Sequence, residues 1–322
     1  MKSLATYSAY LENALQQAHF PTQPANLYDP LRYFLQLGGK RMRPMLSLMA
    51  CKMTGSDFEK ALPAALAVEY FHNFSLIHDD IMDAAPIRRG QATVHERWNA
   101  NIAILSGDVL LVQAYEQLAK YDSSTFHALF NVFNKTAIEV CEGQQMDMDF
   151  EERTDVRIAE YIEMIRLKTS VLLGCALEFG AIAGDASSKD RKAIYNFGQH
   201  IGIAFQIQDD ILDLYADPET FGKQVGGDVI SNKKTLLNLK AQELASAEQI
   251  EVLKQLSTTS DLHYKVEKTK ELYQAIGARQ ACEVTMQEHH SIAMNALSTI
   301  NVSQAAKEPL IALADYLLVR EI

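Results

Sequence analysis

Apolar residues recur with a helical period along nearly the whole of this 322-residue chain. Positions three and four residues apart lie on one face of a helix, and no pair of segments shows the alternation that is typical of paired strands. The chain has only 15 Gly and 8 Pro, which is few for the many tight turns of a barrel, a sandwich or a propeller. The sequence therefore predicts an all-α fold of roughly ten or more helices.

The periodic segments are separated by short breaks. The predicted helical segments are Leu4–Ala18, Leu31–Leu37, Met45–Met53, Phe58–Ile81, Ile102–Ala119, Thr125–Met148, Val156–Ala183, Lys189–Leu214, Leu236–Leu256, Tyr264–Ile276, Ala278–Leu297 and Lys307–Val319. The strongest breaks are Phe20–Pro30, Ala84–Thr93, Phe150–Thr154 and Asp217–Lys234. Each break is short and mixed in composition, unlike a flexible linker. We therefore expect a single domain over residues 1–322.

Charge and composition argue against several classes of protein. The net charge of −11 argues against a general nucleic-acid binder, although a local basic pocket is compatible with it. With 48% hydrophobic residues the chain can bury a large core, which argues against disorder. The cysteines are widely spaced and form no CxxC pair, so we interpret them as reduced core residues. They are Cys51, Cys141, Cys175 and Cys282.

Neither a secretory signal nor a membrane span is predicted. Met1–Leu15 has no apolar region of the kind that a secretory signal carries. The most apolar stretch, Val171–Gly184, is interrupted by Glu178 and is too short to cross a bilayer. We therefore expect a cytoplasmic protein without an integral membrane segment.

Two acidic motifs of the form DDxxD end apolar helical segments, at residues 79–83 and 209–213. The first and last Asp of each motif share a helix face, whereas the second Asp points to the side. Like charges at this spacing and anions at a helix C-terminal end are both unfavourable, so a bound cation is expected to compensate. Carboxylates favour Mg²⁺, which commonly takes one or two of them together with substrate phosphate oxygens. The candidate metal ligands are Asp79, Asp80, Asp83, Asp209, Asp210 and Asp213.

Basic residues collect near both motifs despite the acidic net charge. Gly38–Pro44 contains three cations, Arg88 and Arg89 follow the first motif, and Lys223 and Asn232–Lys234 follow the second. Arg suits bidentate phosphate contact, Lys acts as a point charge, and Gly lets the backbone approach a ligand. The pattern indicates a pocket for one diphosphate bridged by Mg²⁺ and a second diphosphate held by cations alone.

In this order the motifs resemble those of the trans-isoprenyl diphosphate synthases, the polyprenyl synthetase family. The matching residues are Gly39-Lys40-Arg41-Met42-Arg43-Pro44, His72, Asp79-Asp80-Ile81-Met82-Asp83, Arg88-Arg89-Gly90, Gly107-Asp108, Gly143-Gln144, Lys168-Thr169, Phe205–Asp213, Gly222-Lys223 and Lys233. The resemblance implies the isoprenoid synthase fold, which is a helical bundle around a central cavity.

The resemblance also implies a role for each matching residue. The diphosphate of isopentenyl diphosphate would be held by Lys40, Arg43, His72 and Arg89. The allylic diphosphate would be contacted by Arg88, Lys168, Lys223 and Lys233, and bridged by Mg²⁺ to the two acidic motifs. The catalytic polar groups near the reacting carbon would be Lys168, Thr169 and Gln206.

The implied reaction is head-to-tail prenyl transfer that depends on two or three Mg²⁺ ions. The allylic C–O bond ionises, the double bond of isopentenyl diphosphate attacks the cation, and a proton is lost to the released diphosphate. The implied partners are small-molecule substrates and a second copy of the chain in a homodimer, with no nucleic acid. A terpene cyclase would have no second diphosphate to bind, and a non-catalytic partner subunit usually loses one acidic motif; both remain as weaker alternatives.

Residues before the first acidic motif predict the length of the product. In this family the pocket floor lies on that helix, where Phe74 and Ser75 precede Asp79 by five and four residues. The aromatic rings of Phe74 and Phe71 favour a short product. The short spacing of the motif, with Ser75, favours C20 geranylgeranyl diphosphate over C15 farnesyl diphosphate. Alternatively, Phe74 packs in the core and the floor lies elsewhere.

Four neighbouring features have structural interpretations. We interpret His78 as a structural residue beside the motif. Gly107-Asp108 and Gly143-Gln144 are interpreted as helix-packing pairs, and Met146–Met148 as core packing.

Overall fold

The computed structural model describes residues 2–216 and 225–319 of the chain. The α-helices are α1 (Lys2–Gln16), α2 (Ala25–Gln36), α3 (Met42–Met53), α4 (Leu62–Met82), α5 (Val94–Arg97), α6 (Ala100–Leu118), α7 (Ser123–Glu152), α8 (Ile158–Ile165), α9 (Val171–Ala183), α10 (Ser188–Tyr215), α11 (Gly227–Ile230), α12 (Leu236–Leu244), α13 (Ala247–Ser257), α14 (Leu262–Ile276), α15 (Ala278–Ser298) and α16 (Gln304–Val319). The other elements are a 3₁₀ turn (Phe58–Ala61), a π-helical turn (Arg166–Ser170), β1 (Ile87–Arg88) and β2 (Gln91–Ala92). The all-α prediction is confirmed.

The chain divides into two compact units. The first unit comprises residues 1–135, 175–194 and 301–309, and the second comprises residues 136–174, 195–300 and 310–322. The boundaries between them fall inside α7, α9, α10 and α16. No described helix is both long enough and apolar enough to cross a bilayer.

In the first unit, α4 packs against α3 and α6 because it is apolar on nearly every side. A chain of aromatic rings fills the core beside it. Phe71 meets Phe133 edge-on with ring centroids 5.3 Å apart, and Phe133 also contacts Tyr115 at 4.9 Å and Phe179 at 6.2 Å. Packed rings of this kind are bulky and hard to rearrange, so they fix the part of α4 around Phe71, which precedes its C-terminal end.

In the second unit, α8, α10, α12, α14 and α15 contribute to one hydrophobic cluster. Ile207 and Ile211 of α10 are buried in it. A helix turns about 100° per residue, so Asp209 and Asp213, each two residues further along, point away from this core. The hydrophobic pattern of α10 therefore directs the second acidic motif outward.

Among the helix boundaries that differ from the prediction, two have a clear physical cause. The predicted helix Leu236–Leu256 is broken into α12 and α13, because Ser246 caps α13 in a capping box with Gln249. The predicted break Phe20–Pro30 is wrong in its second half, since α2 begins at Ala25 and continues through Pro30. Burial of the apolar face of α2 outweighs the cost of a proline inside the helix.

Two smaller expectations are wrong. The sequence predicted no strand pair, but β1 and β2 form a short antiparallel hairpin. Its turn residues, Arg89 and Gly90, both have left-handed backbone conformation, and two-residue strands are too short to show alternation. Cys141 lies on the exposed side of α7, whereas the other three cysteines are buried, and none of the four forms a disulfide bond.

Glu178 is a carboxyl group within the apolar helix α9. Burial raises its pKa to about 7, and the nearby Arg191, Lys135 and Lys192 oppose this only in part. The folded chain therefore binds more protons than the unfolded chain from about pH 4.5 to pH 7, so this group lowers the free energy of unfolding as the pH rises through that range. Above pH 7 the carboxylate is ionised in the folded chain, and the full cost of burying its charge lowers the free energy of unfolding.

We expect Glu178→Gln to stabilise the protein at pH 8 by about 3 kcal/mol, given ~1.4 kcal/mol per pKa unit, and to change it little at pH 5. Urea unfolding of both proteins at the two pH values measures this. Glu142→Gln, at an exposed position of α7, is the control and should change stability little at either pH. Equal effects of Glu178→Gln at pH 5 and pH 8 would contradict the assignment.

Candidate active site

The first acidic motif lies at the C-terminal end of α4, in the first unit. Asp79 is half-buried, and Asp83, which follows the last residue of the helix, is exposed. Asp80 is buried and faces Arg88, whose Nε donates to Asp80 Oδ1 at 2.7 Å. Arg88 Nη2 also lies 3.5 Å from Asp79 Oδ2. The motif thus uses its second carboxylate to hold an arginine beside Asp79.

The carboxylates of this motif fit a divalent cation. Asp80 Oδ2 is buried and has no hydrogen-bond partner among the described residues. Burial raises the pKa of Asp80, although the Arg88 guanidinium opposes the shift. Within the described ranges no three His, Cys, Asp or Glu side chains converge into a complete metal site. A pair of carboxylates is what Mg²⁺ takes when substrate phosphates supply further ligands.

A cationic cluster lies in the same unit, on the Gly38–Arg43 loop, which leads into the first turn of α3, on the adjacent face of α4 and on the hairpin after α4. Arg43 Nη1 lies 3.2 Å from His72 Nε2. Burial, and then the charge of Arg43, lower the pKa of His72 well below its usual value, so the ring is neutral near pH 7. Arg89 donates to the carbonyl oxygen of Gly38, and Lys40 on the same loop is exposed. The cluster therefore contains all four residues predicted to hold isopentenyl diphosphate.

Gly39 lets Arg89 lie directly against this loop. Its φ is +138°, and a Cβ added there would lie 3.0 Å from Arg89 Cζ. Because L side chains rarely adopt this conformation, a glycine is needed on both counts. The close contact fixes the hairpin and the loop as one cationic surface.

The residues predicted as the chain-length floor lie together on α4. The ring centroid of Phe74 is 5.6 Å from that of Phe71 and 4.6 Å from that of His78. Phe71 is fully buried, whereas Phe74 is half-buried. Ser75 Oγ donates to the carbonyl oxygen of His72 in its own helix, at 2.9 Å. The hydroxyl of Ser75 is therefore satisfied locally, and Phe74 is the bulkier group at this level.

His78 and Gly107 pack α4 against α6. A Cβ added at Gly107 would lie 2.4 Å from His78 Nε2, and the same nitrogen lies 3.1 Å from the carbonyl oxygen of Ile104. These contacts support the structural interpretation of His78 and the packing interpretation of Gly107.

In the second unit, the π-helical turn after α8 carries Lys168 and Thr169. Lys168 Nζ donates to Asp147 Oδ2 at 2.6 Å, and Thr169 Oγ1 donates to Gln206 Oε1 at 3.2 Å. Gln206 Nε2 in turn donates to Asp210 Oδ1 at 3.2 Å. The structure thus connects Thr169 and Gln206, two of the three predicted catalytic residues, to the second acidic motif, whereas Lys168 pairs with Asp147. π-helical turns are rare and are often found at functional sites.

Within the second motif, Asp210 has protein partners. The Tyr161 hydroxyl donates a short hydrogen bond to Asp210 Oδ2, and the backbone N–H of Leu236 reaches the same oxygen at 3.4 Å. Burial raises the pKa of Asp210 to about 7, and the hydrogen bond from Tyr161 opposes the shift. Like Asp80 in the first motif, Asp210 holds neighbouring groups in place.

Asp209 and Asp213 are half-buried on α10. Asp213 Oδ2 accepts a hydrogen bond from the Asp228 N–H at 3.0 Å, which fixes its carboxylate. Lys233 lines a small cavity of about 50 Å³ with Asp210, Asp213 and Asp228. The structure therefore places a cation beside the second motif, as predicted. Lys223 lies outside the described residues.

Sequence reasoning missed three residues that hold these groups. Asp147, the partner of Lys168, lies in the segment that the sequence analysis interpreted as core packing, and a charge between two methionines was the available signal. Tyr161 had no local signal, because its partner Asp210 lies 49 residues away. Arg41 stands inside a matching motif, but its buried contacts are with distant residues.

Comparisons with known proteins agree with this geometry. Residues 24–276 match the polyprenyl synthetase family. A geranylgeranyl diphosphate synthase of Methanosarcina mazei is 44% identical over 238 residues, which are 73% of this chain and 74% of that protein. A geranylgeranyl pyrophosphate synthase of known structure is 43% identical, with a TM-score of 0.95 over 99% of both chains. A geranylgeranyl pyrophosphate synthase of Corynebacterium glutamicum, solved with calcium and isoprenyl diphosphate, is 29% identical, with a TM-score of 0.81 over 98% of this chain and 96% of that chain.

Proposed function

This chain belongs to the polyprenyl synthetase family, and we propose that it joins isopentenyl diphosphate head to tail to allylic diphosphates and releases C20 geranylgeranyl diphosphate. The observation that carries the proposal is the recurrence of one arrangement. In each unit, a DDxxD motif ends a buried helix and has cationic side chains beside it. The names of the similar synthases support the C20 product.

The first unit supplies the binding residues for isopentenyl diphosphate in this proposal. Lys40, Arg43 and Arg89 bring positive charge, which attracts a diphosphate strongly. Neutral His72 donates or accepts one hydrogen bond beside Arg43, so it orients the ligand without adding charge. Arg88 is held by Asp80 and contacts the allylic diphosphate instead.

Mg²⁺ would be held by Asp79 and Asp83 in the first motif and by Asp209 and Asp213 in the second. When bound, it supplies positive charge that stabilises the leaving diphosphate. We propose Mg²⁺, in two or three ions, because hard carboxylate oxygens are the ligands it prefers. Asp80 and Asp210 remain candidate ligands that complete the two motifs, and each also binds a protein group, Arg88 for Asp80 and Tyr161 for Asp210.

The remaining residues supply charged and polar groups. Lys168 and Lys233 add positive charge for the allylic diphosphate in the second unit, and Lys223 does so by resemblance. Thr169 and Gln206 offer polar oxygens near the reacting carbon, where a developing cation is stabilised.

Product analysis tests this function. Purified protein is incubated with Mg²⁺, isopentenyl diphosphate and C5, C10 or C15 allylic diphosphates in turn, and the products are separated by length. We expect a C20 product from each starter. A C15 end point would identify a farnesyl diphosphate synthase, and no elongation would overturn the synthase proposal in favour of a partner subunit.

Phe74 is expected to limit the product. We predict that Phe74→Ala gives products longer than C20, because the ring that closes the space beside Phe71 is removed, and costs about 2 kcal/mol of stability. Chromatography of the products measures this. Phe126→Ala, which removes a half-buried ring packed against Phe130 at 5.5 Å, is the matched control and should keep the C20 product. An unchanged product from Phe74→Ala would place the floor elsewhere.

We also propose that the enzyme is a homodimer. The α6 helix exposes Ile104, Leu105 and Val112, with 42%, 58% and 57% of their surfaces accessible. A stripe of large apolar side chains on one helix face favours association with a second copy. Light scattering in solution measures the mass, and the mass of a single chain would contradict the proposal.

The expected compartment is the cytoplasm, in keeping with widely spaced cysteines and no CxxC pair.

A further inference from the structure

Arg41 lies between two residues of the cationic cluster, yet it faces the opposite way. Lys40 is exposed and Arg43 is half-buried beside His72, whereas only 1% of the Arg41 side chain is accessible. Its backbone has φ of 45°, in the left-handed region that side chains other than glycine rarely occupy. A strained residue at such a position persists only when its surroundings hold it there.

The guanidinium of Arg41 contacts three helices of the first unit. Its Nε donates to Glu12 Oε1 of α1 at 2.9 Å. Its Nη1 donates to Glu69 Oε1 of α4 at 2.5 Å, and its Nη2 donates to the carbonyl oxygen of Leu35 near the end of α2 at 2.6 Å. Asn73 Nδ2 donates to the same oxygen of Glu69 at 2.8 Å. The Gly38–Arg43 loop is therefore attached to α1, α2 and α4 through one side chain.

These contacts also occupy the charge of Arg41. Two carboxylates already face its guanidinium, so its charge is neutralised within the protein. Arg43, by contrast, faces the neutral ring of His72. Within this short segment, Arg41 thus binds protein carboxylates inside the fold, whereas Lys40 is exposed.

We propose that Arg41 is a positioning residue whose buried pair with Glu69 holds Lys40 and Arg43 in the geometry that binds the diphosphate of isopentenyl diphosphate. The proposal rests on the proposed function. It differs from a general role in stability because α4 carries both Glu69 and His72, so the pair sets the distance between the loop cations and the helix that completes the site. Loss of the pair should therefore affect one substrate more than the other.

The test compares Arg41→Lys and Glu69→Gln with the wild-type protein in steady-state kinetics. A lysine keeps the charge but cannot reach three acceptors at once. We expect KM for isopentenyl diphosphate to rise about tenfold in each variant, while KM for the allylic diphosphate and kcat at saturation stay within about twofold. If the wild-type protein elongates no starter, the proposed function fails. If the wild-type protein is active but the variants raise KM for both substrates equally, or for neither, the positioning role of Arg41 fails.

Arg32→Lys is the matched control. Arg32 also donates to backbone carbonyl oxygens, those of Phe20 and Pro21, and to a carboxylate, but it lies away from the loop. We expect it to lower the melting temperature without changing KM for isopentenyl diphosphate. If Glu69→Gln does not fold, Glu12→Gln, which removes the more exposed acceptor, gives the same reading through the same ratio of KM values. A loss of melting temperature alone in the Arg41 and Glu69 variants overturns the proposal.

Discussion

Asp79→Asn is expected to lower kcat about 10³-fold, because the loss of one carboxylate from the metal site removes several kcal/mol of charge stabilisation from the leaving diphosphate. Asp79 is half-buried at the end of α4 and lies 3.5 Å from Arg88 Nη2 through its Oδ2. The amide keeps the size of the side chain, so the fold should survive. Steady-state rates at increasing Mg²⁺ concentration measure the effect, and the Mg²⁺ concentration at half-maximal rate should rise as well.

Glu116→Gln serves as the control for Asp79→Asn, since it removes the same charge from an exposed position on α6. It should leave kcat and the Mg²⁺ dependence near the wild-type values. A kcat for Asp79→Asn within about tenfold of wild type would refute the assignment of this carboxylate to the metal, because a lost ligand is worth more than that.

Local patterns explain why so much of the fold was predictable. The helical period of apolar residues is a property of each segment alone, so α4, α6, α10 and most other helices could be located from it. The four-residue spacing of each acidic motif likewise settles which carboxylates share a helix face. The prediction missed the strands within Ile87–Ala92 because two-residue strands are too short to show alternation. It also missed the break at Ser246, although the capping box there is visible in the sequence.

Contacts between distant residues explain what was not predictable. Asp210 and Tyr161 are 49 residues apart, and Arg41 and Glu69 are 28 residues apart. No spacing rule connects such pairs, because they meet only after helices pack. The sequence did show that the second Asp of each motif points to the side, but not which group it would hold there. The structure supplies that group, which is Arg88 for Asp80 and Tyr161 for Asp210.

In both motifs, therefore, the outer carboxylates and the second carboxylate have different structural roles, which the sequences only suggest. In each, the outer carboxylates are directed away from the core while the second is buried and hydrogen-bonded. A buried carboxylate with partners resists rotation, so it keeps the helix end and its neighbouring cation or polar group in register. In the proposed metal site, the positions of the outer carboxylates thus depend on the protein contacts of the second carboxylate.

Gly143 shows the same dependence at the π-helical turn, and its replacement should have the second large effect. A Cβ added at Gly143 of α7 would lie 2.2 Å from the backbone nitrogen of Lys168 and 2.7 Å from the carbonyl carbon of Leu167. Backbone atoms cannot rotate away as a side chain can. Gly143 is thus a packing residue, as the sequence suggested, and its packing partner is the turn that carries Lys168 and Thr169.

The Gly143→Ala substitution has two effects of opposite sign on the free energy of unfolding. Helix propensity alone predicts a gain of about 1 kcal/mol, whereas overpacking against backbone costs about 3 kcal/mol at a contact this short. We therefore expect a net loss of about 2 kcal/mol in the free energy of unfolding. Because a shift of ~1 Å in a catalytic group costs on the order of 10²-fold in rate, kcat should fall by about that factor.

Urea unfolding and single-turnover rates measure both parts of the Gly143→Ala prediction. Glu142→Ala, at the exposed neighbouring position of α7, is the control and should change stability by about 0.5 kcal/mol or less. If Gly143→Ala is more stable than wild type, propensity outweighs the contact and the close approach is not rigid. If it is less stable but equally fast, the turn moves as a unit without displacing Lys168 from its place beside Asp147. Only the loss of both stability and rate agrees with a turn whose position requires that residue 143 has no side chain.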